Sequence, residues 1–175
     1  SVHSFFGVSK VYADLLAQEY SRNFGLKIGI FRAGCITGPN HSGAKLHGFL
    51  SYLVKASIQN KKYTLIGYKG KQVRDNIHSS DLVKCFWEFF KKPTSGKTYN
   101  TGGGRKSNCS ILEAIKLVEN YTNLKIKKNY LKDNRVGDHI WYISDMSKFK
   151  KDFPNWKQSY NTEKIVKELV NNFSF

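Results

Sequence analysis

The spacing of apolar residues predicts one long helix near the start of the chain. Between about Phe5 and Phe24, apolar side chains recur at intervals of three and four residues, which is the period of a helix with an apolar stripe. The opposite side of the helix is also largely apolar, since it carries phenylalanine and alanine residues together with Lys10. We therefore expect this helix to pack on two sides. Gly25 is placed to cap its C-terminus, and residues 26–31 then predict a short strand of the buried kind.

Helices and strands alternate along the remaining residues. Asp81 is expected to cap the helix that starts near residue 79, and Ser110 with Glu113 matches a capping box at the start of another helix. Alternation of this kind is typical of an α/β protein. The predicted helices cover about 46–59, from 79 to just before Pro93, 110–121, 145–152 and 162–172, and the predicted strands cover about 63–66, 99–101 and 126–131.

A loop punctuated by glycine and proline is predicted at residues 32–40, after the first strand. Ligands of open parallel sheets bind outside the carboxyl ends of the strands, so a cofactor or substrate is expected here. The sequence has no GxGxxG after a first strand, and so no turn that would cradle a dinucleotide pyrophosphate. Gly102, Gly103 and Gly104 have the wrong spacing for that role and indicate a helix cap or a tight turn after a strand. If this chain is part of an oxidoreductase, we expect it to be the C-terminal portion of that enzyme.

Net charge and cysteine content narrow the class of partner. Twenty-nine Lys+Arg against 13 Asp+Glu give a formal net charge of +16. The basic residues are mostly scattered lysines, which favours a solvated surface over nucleic-acid binding, while a positive field suits an anionic small molecule. Three separated cysteines without metal-ligand spacing argue against a zinc site and a disulfide framework, and they fit a reducing, cytoplasmic setting. No apolar stretch approaches the roughly 20 residues that span a bilayer, so no membrane partner is expected.

Four separated segments match one enzyme family in the same order. The first is 3–10, where Phe6 stands four positions before Lys10, at the place of a catalytic tyrosine. The others are 38–50, 72–78 and 135–138. On these segments the chain resembles the C-terminal half of an extended short-chain dehydrogenase/reductase of the sugar-nucleotide epimerase/dehydratase type, and it looks closest to the CDP-paratose 2-epimerases, also called CDP-tyvelose epimerases.

The resemblance implies a fold class and a division into domains. The chain would contain the C-terminal part of a Rossmann-like, doubly wound parallel sheet and a smaller mixed α/β substrate-binding lobe. Residues 1–44 would belong to the NAD-binding domain and 45–175 mainly to the lobe, with 73–102 returning to the Rossmann sheet. The dinucleotide fingerprint would lie in an N-terminal half of the parent protein, and the first helix would form a homodimer interface.

The resemblance also implies which residues contact the ligands. NAD would contact Lys10, Ala33, Gly34 and Cys35. Arg74 and Arg135 would clamp the diphosphate of a nucleoside-diphosphate sugar, because a guanidinium donates two parallel hydrogen bonds to phosphate oxygens. No metal site is expected, since the histidines lack a third ligand at metal-binding spacing. The full set of implied substrate-binding residues is Cys35, His41, His47, Arg74, Arg135 and Asp138.

Because Phe6 stands at the position of the family tyrosine, the resemblance does not identify the group that accepts the proton of the sugar hydroxyl. A lysine on the same helix face would lower the pKa of a tyrosine phenol from about 10, but a phenyl ring has no proton to exchange. Tyr12 points about 120° away from the direction of Phe6 on a helix of 3.6 residues per turn. The alternatives are Lys10, Cys35, a histidine, a residue of the missing half and a water chain.

Three kinds of function are compatible with this sequence. The first is an NAD-dependent nucleotide-sugar epimerase that oxidises and re-reduces a ring carbon, or a dehydratase or reductase of the same family. The second is a family member that binds a sugar nucleotide with weak or no catalysis, because Phe6 replaces the tyrosine. The third, a nucleic-acid module, rests only on net charge and lacks an aromatic-basic motif. The fragment alone is expected to be inactive and to bind NAD poorly.

Overall fold

The computed structural model describes residues 4–41, 43–44, 47–135 and 137–173. Helices and strands alternate through these residues, which confirms the α/β fold class. Among them no helix is both long enough and apolar enough to cross a bilayer. The helices are α1 (Phe5–Phe24), α2 (Phe49–Ile58), α3 (Ser79–Lys91), α4 (Ile111–Thr122), α5 (Ser147–Asp152) and α6 (Thr162–Phe173). The strands are β1 (Gly29–Ala33), β2 (Cys35–Thr37), β3 (Tyr63–Ile66), β4 (Val73–His78), β5 (Lys97–Thr101), β6 (Asn108–Ser110), β7 (Lys128–Leu131) and β8 (Trp141–Tyr142).

The strands form three small sheets in which parallel pairing dominates. β1 pairs in parallel with β5, and β3 pairs in parallel with β7. The third sheet has the order β2–β4–β6, with β6 antiparallel to β4, and β8 also pairs with β4 in parallel. Strand β4 therefore lies at the centre of the third sheet, where it pairs with β2, β6 and β8.

Two apolar cores hold these elements together. The larger core joins α2, α4 and α6 through aliphatic side chains that include Leu53, Val118 and Leu169, each fully buried. The smaller core is aromatic and lies between β5, α3 and α5, where Tyr99 and Phe149 pack edge-to-face with ring centroids 5.4 Å apart. The predicted capping box is confirmed at the start of α4, since Ser110 and Glu113 bond each other's backbone N–H groups.

Helix α1 has the predicted bounds, but its apolar sides are uncovered. Ser4 caps its N-terminus by accepting the N–H of Gly7, and Gly25 ends it in the left-handed conformation. Ser21 is the one buried residue of this helix, so the expected packing on two sides is wrong within the described part of the chain. The described elements leave both sides to solvent. The exposed apolar residues of α1 are Phe5, Phe6, Val8, Val11, Tyr12, Leu15, Leu16, Tyr20 and Phe24.

The region predicted as a loop at 32–40 is mostly strand. It contains the end of β1 and all of β2, which are separated at Gly34, where the chain passes from one sheet to another. A Cβ atom on Gly34 would lie 2.5 Å from Oδ1 of Asp75, so this crossing requires glycine. The strand predicted at 26–31 accordingly runs later, and only the turn after β2 is irregular.

The start of α2 and the capping residue of α3 also differ from prediction. Helix α2 begins at Phe49 rather than at Leu46, which lies outside the described residues. Asp81 does not cap α3, because Nδ1 of His78 accepts the N–H of Ser80 instead. Asp81 is fully buried in the first turn of α3, and its Oδ2 accepts the N–H groups of Ser159 and Tyr160, both at 2.9 Å. It therefore ties α3 to the segment that precedes α6.

Candidate functional site

Two arginines from distant parts of the chain meet at one carboxylate. Nη2 of Arg74 on β4 donates to Oδ1 of Asp138 at 2.6 Å, and Nη2 of Arg135 donates to Oδ2 of the same carboxylate at 3.4 Å. Arg74 also donates to the carbonyls of Val73 and His139. The side chains of Arg74 and Asp138 are mostly buried, whereas that of Arg135 is half exposed. The Asp138 carboxylate thus bridges two guanidinium groups beside one cavity.

Cys35 lies beside this charged group at the start of β2. Its backbone pairs with Asn76 across the sheet, and its side chain lines the same cavity as Arg74 and Arg135. Burial raises the pKa of the Cys35 thiol to about 11, and this outweighs the opposing effect of Arg74. The thiol is therefore protonated at neutral pH, which argues against Cys35 as the general base.

The wall of the cavity comes from β3 and the turn that follows it. Tyr63 and Ile66 of β3 line it, as do Gln72 and Phe49 from the elements on either side. Nε2 of Gln72 donates to the carbonyl of Ile66 at 3.0 Å and so ties the turn to the strand. Burial raises the pKa of the Tyr63 phenol to about 12, so this ring contributes a neutral, mainly apolar surface.

Phe6 and Lys10 lie together on the exposed side of α1. The ammonium of Lys10 sits 5.2 Å from the centroid of the Phe6 ring, within the range of a cation–π contact. Both side chains are exposed, Phe6 to 69 %. His3, which opens this sequence motif, lies outside the described residues. The lysine and the tyrosine-equivalent position thus share one face, as their spacing predicts.

An ion pair connects α1 to the strand that ends at the cavity. Asp14, one turn after Lys10, accepts from Nε of Arg32 at 2.7 Å and from Nη2 at 3.1 Å. Arg32 precedes Ala33, Gly34 and Cys35 on the way into the cavity. The hydrogen bonds from Arg32 lower the pKa of the Asp14 carboxyl, which is therefore ionised at neutral pH. This contact joins α1 to β1.

Asp75 supports the strand crossing from behind. It is fully buried, and its Oδ2 accepts the N–H groups of Gly104 and Ser144 at 2.9 and 3.0 Å. The same carboxylate faces Gly34. Asp75 therefore joins three chain segments directly beneath the residues expected to contact NAD. The sequence pattern identifies it only as the neighbour of Arg74.

The two histidines of the predicted site are placed differently. His41 is half buried over the start of α2, with Nδ1 3.4 Å from Oγ of Ser51. His47 is exposed, and its backbone forms a bridge with Ala44. Neither histidine is among the described residues that line the cavity. The structure thus brings together Cys35, Arg74, Arg135 and Asp138, and it leaves His41 and His47 at the margin.

Comparison with known proteins decides which family this geometry belongs to. A family model described as "NAD dependent epimerase/dehydratase family" matches residues 2–102, more than half of the chain. The chain belongs to this family. The match covers α1, both strands at the crossing and Arg74, whereas Arg135 and Asp138 come after it in sequence.

Two members of the epimerase/dehydratase family resemble this chain with nearly equal sequence identity. The chain is 29 % identical to the CDP-paratose 2-epimerase of Salmonella typhi over 83 % of its own length and 45 % of that protein. It is 28 % identical to a dTDP-glucose 4,6-dehydratase of Escherichia coli over 87 % of its length and 43 % of that protein. The chain therefore spans less than half the length of these curated relatives.

A solved structure of the same family matches nearly the whole chain. It is a tyrosine-to-phenylalanine mutant of UDP-glucuronic acid 4-epimerase from Bacillus cereus, in complex with UDP-4-deoxy-4-fluoro-glucuronic acid and NAD. The TM-score is 0.83 at 25 % identity, covering 97 % of this chain and 52 % of that one. The Rossmann-like fold predicted from the sequence is confirmed by this likeness.

Several residues of the site have no local signal in the sequence. Asp14 lies four positions after Lys10 and could have been noted on that helix face, but its partner Arg32 is 18 residues away. Asp75 and Gln72 act through contacts that form only when distant turns come together. Helical spacing and strand-end position identify residues within one element, and they do not identify contacts between elements.

Proposed function

We propose that this chain supplies the sugar-nucleotide side of an NAD-dependent nucleotide-sugar epimerase. The observation that carries the proposal is the convergence of Arg74 and Arg135 on Asp138 at the edge of one cavity. Two guanidinium groups at this spacing suit a diphosphate, which accepts parallel charge-assisted hydrogen bonds. The net charge of +16 adds a field that attracts such a ligand.

In this proposal, the residues of the cavity divide between the parts of the substrate. Arg74 and Arg135 hold the diphosphate, while Asp138 keeps both side chains in place and presents a carboxylate for ligand hydroxyls. The β3 wall around Tyr63 offers an apolar surface for the nucleotide base. Cys35 lies at the inner end, where its neutral thiol allows close approach of the sugar. His41 and His47 are assigned to the entrance.

The residues present fit one end of NAD. Lys10 offers an exposed ammonium for the nicotinamide ribose, and Ala33 and Gly34 leave room for close approach at a strand end. The sequence lacks a dinucleotide fingerprint, so the adenine end would be held by a part of the protein that precedes this chain. When bound, NAD supplies the hydride acceptor and donor. The chain contributes orientation and charge.

The finer reaction proposed is epimerisation at a ring carbon, at C2, as in CDP-paratose 2-epimerases. The support is the similarity to the Salmonella typhi enzyme over 83 % of the chain. A dehydratase of the same family is an alternative, because the dTDP-glucose 4,6-dehydratase of Escherichia coli is nearly as similar. The two reactions differ in the steps after oxidation of the sugar, and this difference depends on few residues of the pocket.

A second candidate function is binding of a sugar nucleotide with little turnover. Phe6 favours it, because this position lacks the hydroxyl that would exchange a proton with the sugar. The Bacillus cereus epimerase mutant shows that a family member with a tyrosine-to-phenylalanine change is compatible with NAD and a substrate analogue. In this second candidate, the ligands are bound while the proton transfer is slow or absent.

The experiment compares the complete protein encoded in frame with this chain and its Phe6→Tyr variant. NAD-dependent turnover of CDP-, UDP- and dTDP-sugars is followed by chromatography. If the second function holds, the complete protein turns its substrate over slowly. The Phe6→Tyr variant then has a turnover rate about 100-fold higher or more, the range expected of one positioned general base. Robust turnover by the parent with no gain in the variant supports the epimerase and removes the binding function.

Phe5→Tyr is the matched control for this experiment. It introduces the same hydroxyl on the neighbouring residue, which is 98 % exposed. No change in turnover is expected, because the Phe5 position does not share the Lys10 face. If neither protein binds any of the three nucleoside diphosphates in calorimetric titration, the proposed function is wrong.

Assembly and location complete the proposal. We assign residues 1–44 to the NAD-binding domain and 45–175 mainly to the substrate lobe, with 73–102 contributing to the Rossmann sheet. The uncovered apolar side chains of α1 support a homodimer through this helix. Cys35, Cys85 and Cys109 are free thiols, which supports a reducing, cytoplasmic setting. Sedimentation of the complete protein and of its Leu15→Arg variant tests the dimer.

A further inference from the structure

The turn after β2 is pressed against the start of α3. A Cβ atom on Gly38 would lie 2.5 Å from Oγ of Ser79 and 3.4 Å from Nε2 of His78. Gly38 is itself buried. Ser79 and His78 therefore lie directly beside the backbone of this turn. We call residues 38–41 the ligand loop, because they extend the strand end assigned to the ligands.

The His78 ring is held on three sides. Nδ1 accepts the N–H of Ser80 at 3.1 Å, so the neutral ring carries its proton on Nε2. That nitrogen lies 2.7 Å from Oε2 of Glu168 on α6, a close electrostatic contact with oblique geometry. The ring of Tyr160 stacks on the imidazole, with centroids 3.8 Å apart and planes 11° from parallel.

Helix α6 contacts the ligand loop itself one turn further on. Nδ2 of Asn172 donates to the carbonyl of Pro39 at 2.9 Å. Glu168 and Asn172 are four residues apart and so lie on the same face of the helix. The adjoining flank of the helix, with Ile165 and Leu169, is fixed in the large apolar core. Helix α6 therefore connects the core of the lobe to the loop.

We propose that α6 positions the ligand loop through two contacts, Glu168 with His78 and Asn172 with Pro39. His78, Glu168 and Asn172 are positioning residues, since they act on the loop rather than on a ligand. The assignment of a ligand to this loop rests on the proposed function, whereas the mechanical connection does not. The C-terminal helix thereby determines the shape of a site that is more than 120 residues away in sequence.

The first test measures the connection in the 175-residue chain without a ligand. Hydrogen exchange over residues 35–41 is compared between the wild type and the Glu168→Gln, Asn172→Ala double variant. We expect exchange in this segment to rise at least about tenfold, while α2 and α4 keep their protection, as local opening requires. Unchanged protection of 35–41 in a folded double variant would overturn the proposal.

Two further measurements separate positioning from general stability. Glu163→Gln changes a residue of α6 that contacts Tyr121 on the other side of the helix, so it should leave 35–41 unchanged. Imidazole ¹⁵N spectra should show His78 protonated at Nε2 in the wild type, with a shifted Nε2 signal in Glu168→Gln. A His78 signal that is identical in the two proteins would contradict the Glu168 contact.

A ligand measurement distinguishes this proposal from the proposed function. Calorimetric titration with UDP and CDP should show about three- to tenfold weaker binding by the double variant and none of this change in Glu163→Gln. If the wild type binds neither nucleotide, the proposed function fails while the exchange result still decides the connection. If binding is normal but exchange over 35–41 is unaffected by the double variant, the connection fails and the proposed function stands.

Discussion

Asp14 on α1 and Arg32 on β1 form a bidentate ion pair, with N–O distances of 2.7 and 3.1 Å. It is one of few polar contacts between α1 and the rest of the described chain; another is the Ser21 hydroxyl, which donates to the carbonyl of Leu26. Lys10 lies one turn before Asp14, and Ala33 is the residue after Arg32. The pair therefore fixes the distance between the two places where NAD contacts are proposed.

Asp14→Asn should loosen α1 with a characteristic pH dependence. Because the ion pair lowers the pKa of Asp14 in the folded state, its contribution is complete above the unfolded pKa of about 3.9 and is lost as the pH falls through the lower folded value. We expect the variant to be less stable by about 0.5–1 kcal/mol at pH 7, given that Arg32 is half exposed. Urea unfolding at pH 7 and pH 2 measures the difference.

The control for this prediction is Glu19→Gln. Glu19 pairs with Arg22 on the same helix, but both side chains are more than half exposed and neither reaches β1. Its removal should change the free energy of unfolding little at either pH. A gap between wild type and Asp14→Asn that persists at pH 2 would show that the effect does not come from the carboxylate charge.

Gly34→Ala should destabilise the strand crossing. The new methyl group would lie 2.5 Å from Oδ1 of the buried Asp75 carboxylate, which has no room to move while Oδ2 accepts two N–H groups. Overpacking of this kind costs about 1–3 kcal/mol. Thermal unfolding measures it, with Gly7→Ala as the control, because its methyl group would meet only the exposed hydroxyl of Ser4 at 3.3 Å. An unchanged melting temperature in Gly34→Ala would contradict the described packing.

Cys35 should resist alkylation in the folded chain. With its pKa raised to about 11 by burial, the thiolate fraction at pH 8 is roughly 200-fold below that of a free cysteine with a pKa of about 8.5. Burial raises the pKa values of Cys85 and Cys109 to about 12, so they should be slower still. Iodoacetamide labelling followed by mass spectrometry checks this, with the urea-unfolded chain as the reference. Fast labelling of Cys35 would reopen its role as a base.

Arg74→Lys should weaken nucleoside-diphosphate binding without removing charge. Lysine keeps the positive charge but loses the planar fork that donates two parallel hydrogen bonds. We expect affinity for UDP or CDP to fall about 10- to 100-fold, the effect of losing one charge-assisted hydrogen bond. Arg105→Lys, at an exposed turn away from the cavity, is the matched control in calorimetric titration. Unchanged affinity in Arg74→Lys would indicate that positive charge, rather than the guanidinium fork, drives binding.

Local patterns predict much of the fold. The bounds of α1, the β3 strand and the capping box of α4 all follow from residues within one element, and the structure confirms them. The same patterns predict a loop at the Gly34 strand crossing, because glycine and proline usually end regular structure. Glycine is required at position 34 because the Asp75 carboxylate, 41 residues later in sequence, leaves no room for a Cβ atom. No local sequence pattern indicates this contact.

The candidate site is predicted mainly through family resemblance. Arg74 and Arg135 are ordinary surface residues by composition, and only the fold shows that they share Asp138. Asp81 is predicted as a cap because acidic residues favour helix starts, yet burial gives it a different task. The His78–Glu168 contact spans 90 residues and joins the start of α3 to α6, so it requires the tertiary structure.

The uncovered apolar face of α1 and the net charge of +16 have opposite effects on self-association. At low ionic strength, repulsion between like-charged molecules keeps these faces apart. Salt shortens the Debye length to about 10 Å at 0.1 M and to about 3 Å at 1 M, which removes the repulsion but leaves the apolar attraction. The tendency of the chain to self-associate should therefore increase as salt is added. Purification at high ionic strength would favour aggregation over recovery of the monomer.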